Sequence, residues 1–249
     1  MLPSHAKLIE TARLRAGRVG SDYGGWTFDA GLLAPDSVVY SVGIGQDTSW
    51  DEALIERVGC EVHGFDDTPV SSKWLHGRIE QGGLPRRFHW HRWLLTAKDG
   101  QVEIGLPHGF SSSYTSVGGA VPRHRLQKGT LGTTARGLSL ASTMRQLNHT
   151  RLDLLKMDIE ASEFDLFTAM LLEPSLMSTP AVHRLPACQL LVEFHSRLHH
   201  QGWAAKGDAL LALQSLGFTL MHNVVRPSGA DDAFFINPRF CPSSKDPHA

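Results

Sequence analysis

The chain has 249 residues, 41% of them hydrophobic, which is enough for one large domain with a substantial core. Its 24 Lys and Arg nearly balance 25 Asp and Glu, for a formal net charge of -1, so no whole-molecule field draws in a polyanion and nucleic acid is not the default partner. Cys60, Cys188 and Cys241 lack any CxxC spacing, which indicates neither a zinc site nor a disulfide framework.

The opening MLPSHAKLIETARLRAG reads as a short amphipathic helix without a signal-type apolar core. No apolar run reaches the roughly 18 residues of a membrane span, so the chain as given reads as soluble; compartment and oligomeric state stay open. The first strand is Ser37–Val42, followed by a glycine turn and a helix over Ser49–Val58. A second strand, Glu61–Phe65, ends on Asp66 and Asp67, and a helix over Ser71–Glu80 leads to a third strand, Phe88–Trp93. Leu94–Ala97 and Gln101–Leu106 form an expected hairpin around Asp99-Gly100, a favoured tight-turn pair. Pro107–Gly137, rich in Gly, Ser and Thr, reads as a long loop, and long loops in compact domains tend to carry function.

A helix over Leu138–Leu147 precedes the fourth strand, Leu152–Met157, and a helix over Ser162–Leu172 follows it. After a proline-rich connection, Cys188–Phe194 is the fifth strand. A helix over Lys206–Leu216 and an antiparallel pair, Phe218–Asn223 with Ala233–Asn237, close the chain. Apolar runs alternating with amphipathic stretches are the pattern of an α/β fold, a mostly parallel sheet with helices on both faces.

Val38-Val-Tyr-Ser-Val-Gly-Ile-Gly-Gln-Asp47 is strand, glycine turn, then helix. In it Gly43 and Gly45 let backbone approach a ligand at the carboxyl end of the sheet. Asp66 ends the next strand about 20 residues later, where a carboxylate accepts hydrogen bonds from both hydroxyls of a ribose, so the two features together describe an adenosine-containing ligand. A nicotinamide dinucleotide wants a third glycine where Thr48 stands, and Asp47 at the helix mouth repels a pyrophosphate while tolerating an ammonium or sulfonium ligand.

Leu152-Asp-Leu-Leu-Lys-Met-Asp-Ile-Glu-Ala-Ser-Glu163 is a second constellation. Its strand delivers Asp158 and Glu160 to the cleft, where a cation, a ligand ammonium or a shared proton must offset their repulsion. Glu163 reads as a charge at a helix N-terminus. Glu193 and His195 alternate onto one face of the fifth strand, toward Asp158. His195 is either a general base for an alcohol or a strand-end histidine bonded to a neighbouring carboxylate. Tyr23 and Trp26 cover a bound ligand or anchor the N-terminal segment in the core. His89 and His91 share a strand face but lack a third metal ligand fixed by spacing, and His199-His200 reads as solvated loop. Arg86-Arg87 and Arg123-His-Arg125 read as solvated surface.

Val39 to Asp47, Gly59-Cys-Glu-Val-His-Gly-Phe-Asp66 and Leu154 to Glu163 resemble the motifs of FkbM-type methyltransferases, in particular the branch called methyltransferase-like protein 24; Tyr23-Gly-Gly-Trp26 resembles that branch too. The resemblance spans about Tyr23 to Asn237. It implies a class I methyltransferase (Rossmann-like) seven-stranded sheet with an antiparallel final strand, within one methyltransferase domain over 1–249. Residues 1–36 are then a helical cover and 94–137 an insertion of hairpin and loop. It implies S-adenosylmethionine as donor, a hydroxyl acceptor on a sugar or natural product, Gly43, Gly45 and Asp66 on the donor, and Asp158 at the methionine end or the acceptor. Ser41 stands where many such enzymes carry an acid, which Asp47 or Asp158 can replace; Ala161 stands where the pattern has glycine.

Because a sulfonium methyl is electrophilic, alignment of the acceptor oxygen and removal of its proton are the main tasks. Asp158 and His195 are the expected groups nearest the acceptor, with Glu193 orienting one of them. A divalent metal on Asp158 and Glu160 ranks behind metal-free transfer. A non-catalytic donor-binding relative and, further off, a nicotinamide-dependent oxidoreductase are the rival readings.

Overall fold

The computed structural model describes residues 3–117, 121–172, 185–226 and 229–242. Helix α1 (Pro3–Arg15) leads into a short antiparallel pair, β1 (Gly17–Val19) and β2 (Trp26–Phe28). Then come β3 (Val38–Val42), α2 (Ser49–Val58), β4 (Glu61–Phe65), α3 (Pro69–Glu80) and β5 (Phe88–His91). Four short strands follow, β6 (Leu94–Leu95), β7 (Gly100–Gly105), β8 (Thr115–Ser116) and β9 (Thr133–Leu138), and then α4 (Leu140–Gln146) and β10 (Leu152–Met157). The chain continues through α5 (Ser162–Leu172), β11 (Ala187–Phe194), α6 (Trp203–Ser215), β12 (Thr219–Val225) and β13 (Asp231–Ile236).

Seven strands form the main sheet in the order β12-β13-β11-β10-β3-β4-β5. β13 alone runs against its neighbours β11 and β12, while β11, β10, β3, β4 and β5 are mutually parallel, as expected of a Rossmann-like fold closed by a reversed final strand. Every residue of β10 is buried, and β11 is buried except at Glu193, which is why both read as apolar runs. Local chemistry sets the helix ends. Gly59 closes α2 in the left-handed conformation at φ 77°, Pro69 starts α3, and the Ser139 hydroxyl accepts a hydrogen bond from Ser142 N at the start of α4. Among the described residues no helix is long and apolar enough to cross a membrane.

Three expectations need correction. The hairpin does not form, because β9 lies between the two segments: it pairs parallel with β6 and antiparallel with β7. Asp99 is drawn away from a tight turn by the start of α4, accepting from Ser139 N at 2.7 Å and Ser142 Oγ at 2.6 Å. The segment taken as one long loop contains β8, β9 and two 3-10 turns, Arg123–Arg125 and Lys128–Thr130; its residues 118–120 lie outside the described residues, as does the proline-rich connection over 173–184. Cys188 and Cys241 are bonded to each other across 53 positions, tying β11 to the segment beyond β13, so the cysteines form a cross-link that their spacing does not announce.

The N-terminal segment is fastened by polar ties. Asp29 N–H donates to Gln189 Oε1 at 2.9 Å and Gln189 Nε2 returns a bond to Asp29 O at 3.0 Å, while Arg15 meets the buried Asp29 carboxylate at 2.8 Å. Trp26 and Phe28 pack under the sheet in the core cluster with Trp50 and Leu191.

On the opposite face, His63, His89, His91 and His149 gather beside Tyr40. His63 Nδ1 lies 2.9 Å from His91 Nε2, and the Tyr40 hydroxyl is 2.8 Å from His149 Nδ1. His89 reaches Glu61 at 2.6 Å instead of forming a metal pair with His91. Burial pushes His63 down to about 3 and His91 down to about 4, with the neighbouring histidines adding to both shifts.

Two outcomes follow from these ties. Reducing the Cys188–Cys241 bond, or replacing Cys241 by Ser, lowers unfolding free energy by roughly 2–4 kcal/mol, as loop-closure entropy dictates for a loop of this length; denaturant titration with and without reductant measures it. The histidines bind protons in the unfolded chain near pH 6.5 but resist them when folded, so their contribution to stability is full above that pH and is lost as pH drops toward 4. Allowing for their partial exposure, the loss by pH 5 is about 1 kcal/mol, roughly 2–4 °C in melting temperature, and His63→Gln flattens the pH profile.

Candidate functional site

The site opens where the strand order reverses, at the carboxyl ends of β3 and β10. There a cleft of about 570 Å³ is lined by Tyr23, Trp26, Gly43, Gly45, Asp47, Asp66, Asp158, Glu160, Glu193 and His195, among others. Every residue assigned to the site from sequence reaches this one cleft.

Gly43 and Gly45 have φ of 75° and 61°, the left-handed region that glycine enters without strain. At Gly43 a side chain is impossible in place, because its Cβ would lie 1.7 Å from the Asp158 carbonyl oxygen. At Gly45 a Cβ would meet nothing within 4 Å, so that backbone presents an open face. Asp66, only 4% exposed, holds the loop: its Oδ2 accepts from Ile44 N at 3.0 Å and Gly45 N at 3.1 Å, and its Oδ1 from Thr68 N and Thr68 Oγ1 at 2.9 and 2.8 Å.

Asp47 sits at the mouth of α2, accepting from Ser49 N at 2.7 Å and Ser21 Oγ at 2.5 Å. Burial opposes its ionisation, but these bonds from Ser21 and Ser49 outweigh it and hold the carboxyl below its ordinary value. Trp26 is buried in the core and carries the Lys156 ammonium 5.5 Å from its ring centroid, whereas Tyr23 is 75% exposed at the lip of the cleft. Partial desolvation of its hydroxyl end against the cleft, then the charges of Asp158, Glu160 and Glu193, push the Tyr23 phenol above its ordinary value.

The acidic end is built around His195, which is 2% exposed. Its Nε2 lies 3.4 Å from Glu160 Oε2 and 3.6 Å from both Asp158 Oδ1 and Glu193 Oε1. Its Nδ1 faces Glu163 Oε1 at 3.5 Å, and the same oxygen accepts the His195 backbone N–H at 2.8 Å. Glu163 is thus a fully buried support for His195 and not a charge decorating a helix end. Burial opposes protonation of His195, yet Glu160, Glu163 and Asp158 together hold it well above its ordinary value. Glu193 is pushed up to about 8 by burial and by the charge of Asp158, and Glu160 is also raised, chiefly by burial.

Glu160 and Ala161 both adopt left-handed conformations, at φ 52° and 75°. Where the resembled pattern carries glycine, Ala161 is fully buried in the core, so two consecutive strained residues, each costing about 1–3 kcal/mol, aim Glu160 into the cluster.

Several contributors escape a reading of the sequence. Lys156 is buried within β10 and its ammonium donates to the carbonyls of Val42 and Gly43, clamping the glycine loop from below. Asp51 is buried in α2 and pushed up to about 6 by desolvation, with Lys156 as the opposing charge. A lysine inside a fully buried strand was the available signal, since buried lysines demand partners. Arg226 lines the cleft while its guanidinium holds Asp232 at 2.7 Å. His199 is buried against Phe164 and is not solvated.

A family model described as a methyltransferase domain matches residues 9–212. Two curated proteins named probable methyltransferase-like protein 24, from Homo sapiens and Rattus norvegicus, are 25% and 27% identical over 170 residues. Each alignment covers 68% of this chain, and the chain spans 35% of the length of those relatives. Among solved structures, an rRNA methylase from Streptococcus thermophilus aligns at 10% identity and TM-score 0.42, covering 84% of this chain and 90% of the other. Aeropyrum pernix fibrillarin, solved with natively bound S-adenosyl-L-methionine, aligns at 9% identity and TM-score 0.43, covering 82% of this chain and 68% of the other.

The two cleft glycines separate by substitution. Gly43→Ala costs about 3 kcal/mol or more, since backbone must move, and Gly45→Ala about 1–2 kcal/mol, the conformational strain alone. Urea unfolding of the two variants shows this ordering, and equal costs would contradict the close approach to Asp158.

Proposed function

The chain belongs to the methyltransferase-domain family, and on that premise we propose that it moves the methyl group of S-adenosylmethionine to a hydroxyl oxygen of a sugar or small natural product, as an enzyme of FkbM type. The donor is S-adenosylmethionine. The observation that carries the reading is the single cleft in which the Gly43–Gly45 loop and Asp66 face the acidic cluster of Asp158, Glu160, Glu193 and His195.

The open backbone of Gly45 and the Asp66 carboxylate would hold the donor's adenosine. All four acceptor positions of Asp66 are in use, so a ribose hydroxyl exchanges for the Thr68 hydroxyl, which keeps Ser71 Oγ as a partner at 2.9 Å. Asp47 and Asp158 would hold the methionine end, since their negative charge suits an ammonium and a sulfonium. Trp26 and Tyr23 close the side of the cleft. Methyl transfer forms an oxygen–carbon bond as the sulfur–carbon bond breaks, with that electron pair returning to sulfur and the hydroxyl proton passing to the acidic cluster. Asp158 and His195 would be the groups nearest the acceptor oxygen, with Glu193 Oε1 3.6 Å from His195 Nε2. Proximity and alignment supply much of the acceleration.

A cleft with this many carboxylates repels phosphodiester chains, and the net charge of -1 gives no long-range attraction for them, which favours an uncharged hydroxylated acceptor over RNA.

Calorimetry with S-adenosylmethionine, its demethylated product and NAD tests the donor. The first two bind in the micromolar range and NAD does not; Asp66→Ala weakens binding at least tenfold, about 1.4 kcal/mol, by releasing the loop and removing the carboxylate. Binding of NAD alone overturns the proposal. Donor binding with no transfer to any hydroxylated acceptor replaces it with a non-catalytic relative.

A further inference from the structure

We propose that Asp158, Glu160 and His195 bind one divalent cation, whose remaining coordination positions face the cleft and take the oxygen of a hydroxylated acceptor. The acceptor part rests on the methyl-transfer reading; the metal site stands without it.

One ligand atom from each of the three residues lies within 4.8 Å of the others. The His195 Nε2 separations of 3.4 Å to Glu160 and 3.6 Å to Asp158 are close to the roughly 3.0–3.4 Å between adjacent ligands held about 2.1 Å from one ion. The acids alone would be an ordinary cluster, but two further observations point to a ligand. Glu160 Oε2 is shielded from solvent and has no hydrogen-bond partner, although it faces the cluster. His195, 2% exposed, is aimed so that its Nε2 meets three carboxylate oxygens without a bond to any, while its Nδ1 faces the fully buried Glu163. Glu163 Oε1 stands 3.5 Å behind the far ring nitrogen and is anchored by the His195 backbone N–H at 2.8 Å, the position from which a carboxylate supports a metal-ligating histidine.

Two carboxylates with one imidazole suit an ion that accepts both oxygen and nitrogen, such as Mn²⁺, better than Mg²⁺, which prefers oxygen alone. Glu193 Oε1, 3.6 Å from Nε2, is placed to bond a water or hydroxyl held by the ion.

Titration of the chelator-treated full chain with Mn²⁺, followed by electron paramagnetic resonance without donor or acceptor, tests the site. One equivalent binds saturably, Glu160→Gln and Asp158→Asn weaken binding at least tenfold, and Glu163→Gln weakens it 10- to 100-fold by loosening His195. Thermal melts confirm that each variant is folded, and a vicinal diol perturbs the Mn²⁺ spectrum of wild type only. Absence of saturable binding, or binding unchanged in Glu160→Gln, overturns the proposal. A diol that leaves the spectrum unchanged removes acceptor coordination. Mn²⁺ binding by a chain that fails to bind S-adenosylmethionine keeps the site and overturns the methyl-transfer reading instead.

Discussion

Everything at this site depends on how closely two strand ends approach each other. β3 and β10 leave the sheet side by side, with Asp158 N–H bonded to Val42 O at 3.0 Å and the Asp158 carbonyl seated where a Gly43 side chain would be. That contact sets the glycine loop and the acidic loop in one frame. Asp66 then pins the first loop from the β4 side, and the Lys156 ammonium holds its carbonyls from beneath. Moving either strand by one residue would separate the glycine loop from the carboxylates.

The acidic end shows how a fold concentrates charge that water would otherwise disperse. Asp158, Glu160, Glu163 and Glu193 surround one imidazole, and burial makes each additional negative charge more costly. A proton on His195 offsets part of that repulsion. The left-handed turn at Glu160 and Ala161 keeps the arrangement from relaxing, so backbone strain and charge repulsion are stored together.

Much of this was legible in the residues. The parallel core announced itself because Val38–Val42, Leu152–Met157 and the run after Cys188 are apolar on both faces, and Gly43, Gly45, Asp66 and Asp158 stand at strand ends where ligands bind. β9 was hidden because Thr-Thr-Ala-Arg-Gly-Leu has small residues where a strand usually shows large apolar ones, and its partners lie on either side of a turn that looked self-sufficient. Glu163 read as a surface acid because helix N-termini attract acids anyway; only the packing of α5 against β11 turns it inward. The cysteine pair was invisible because its partners meet through the antiparallel return of β13, which no local spacing encodes.

That same cross-link changes how the molecule carries mechanical load. A pull applied on either side of the bridge would pass from Cys241 straight to Cys188 near the start of β11, bypassing the rest of that strand, α6, β12 and β13. The bypassed segment stays slack until the sulfur bridge is cut, and cutting it releases roughly 180 Å of hidden contour length.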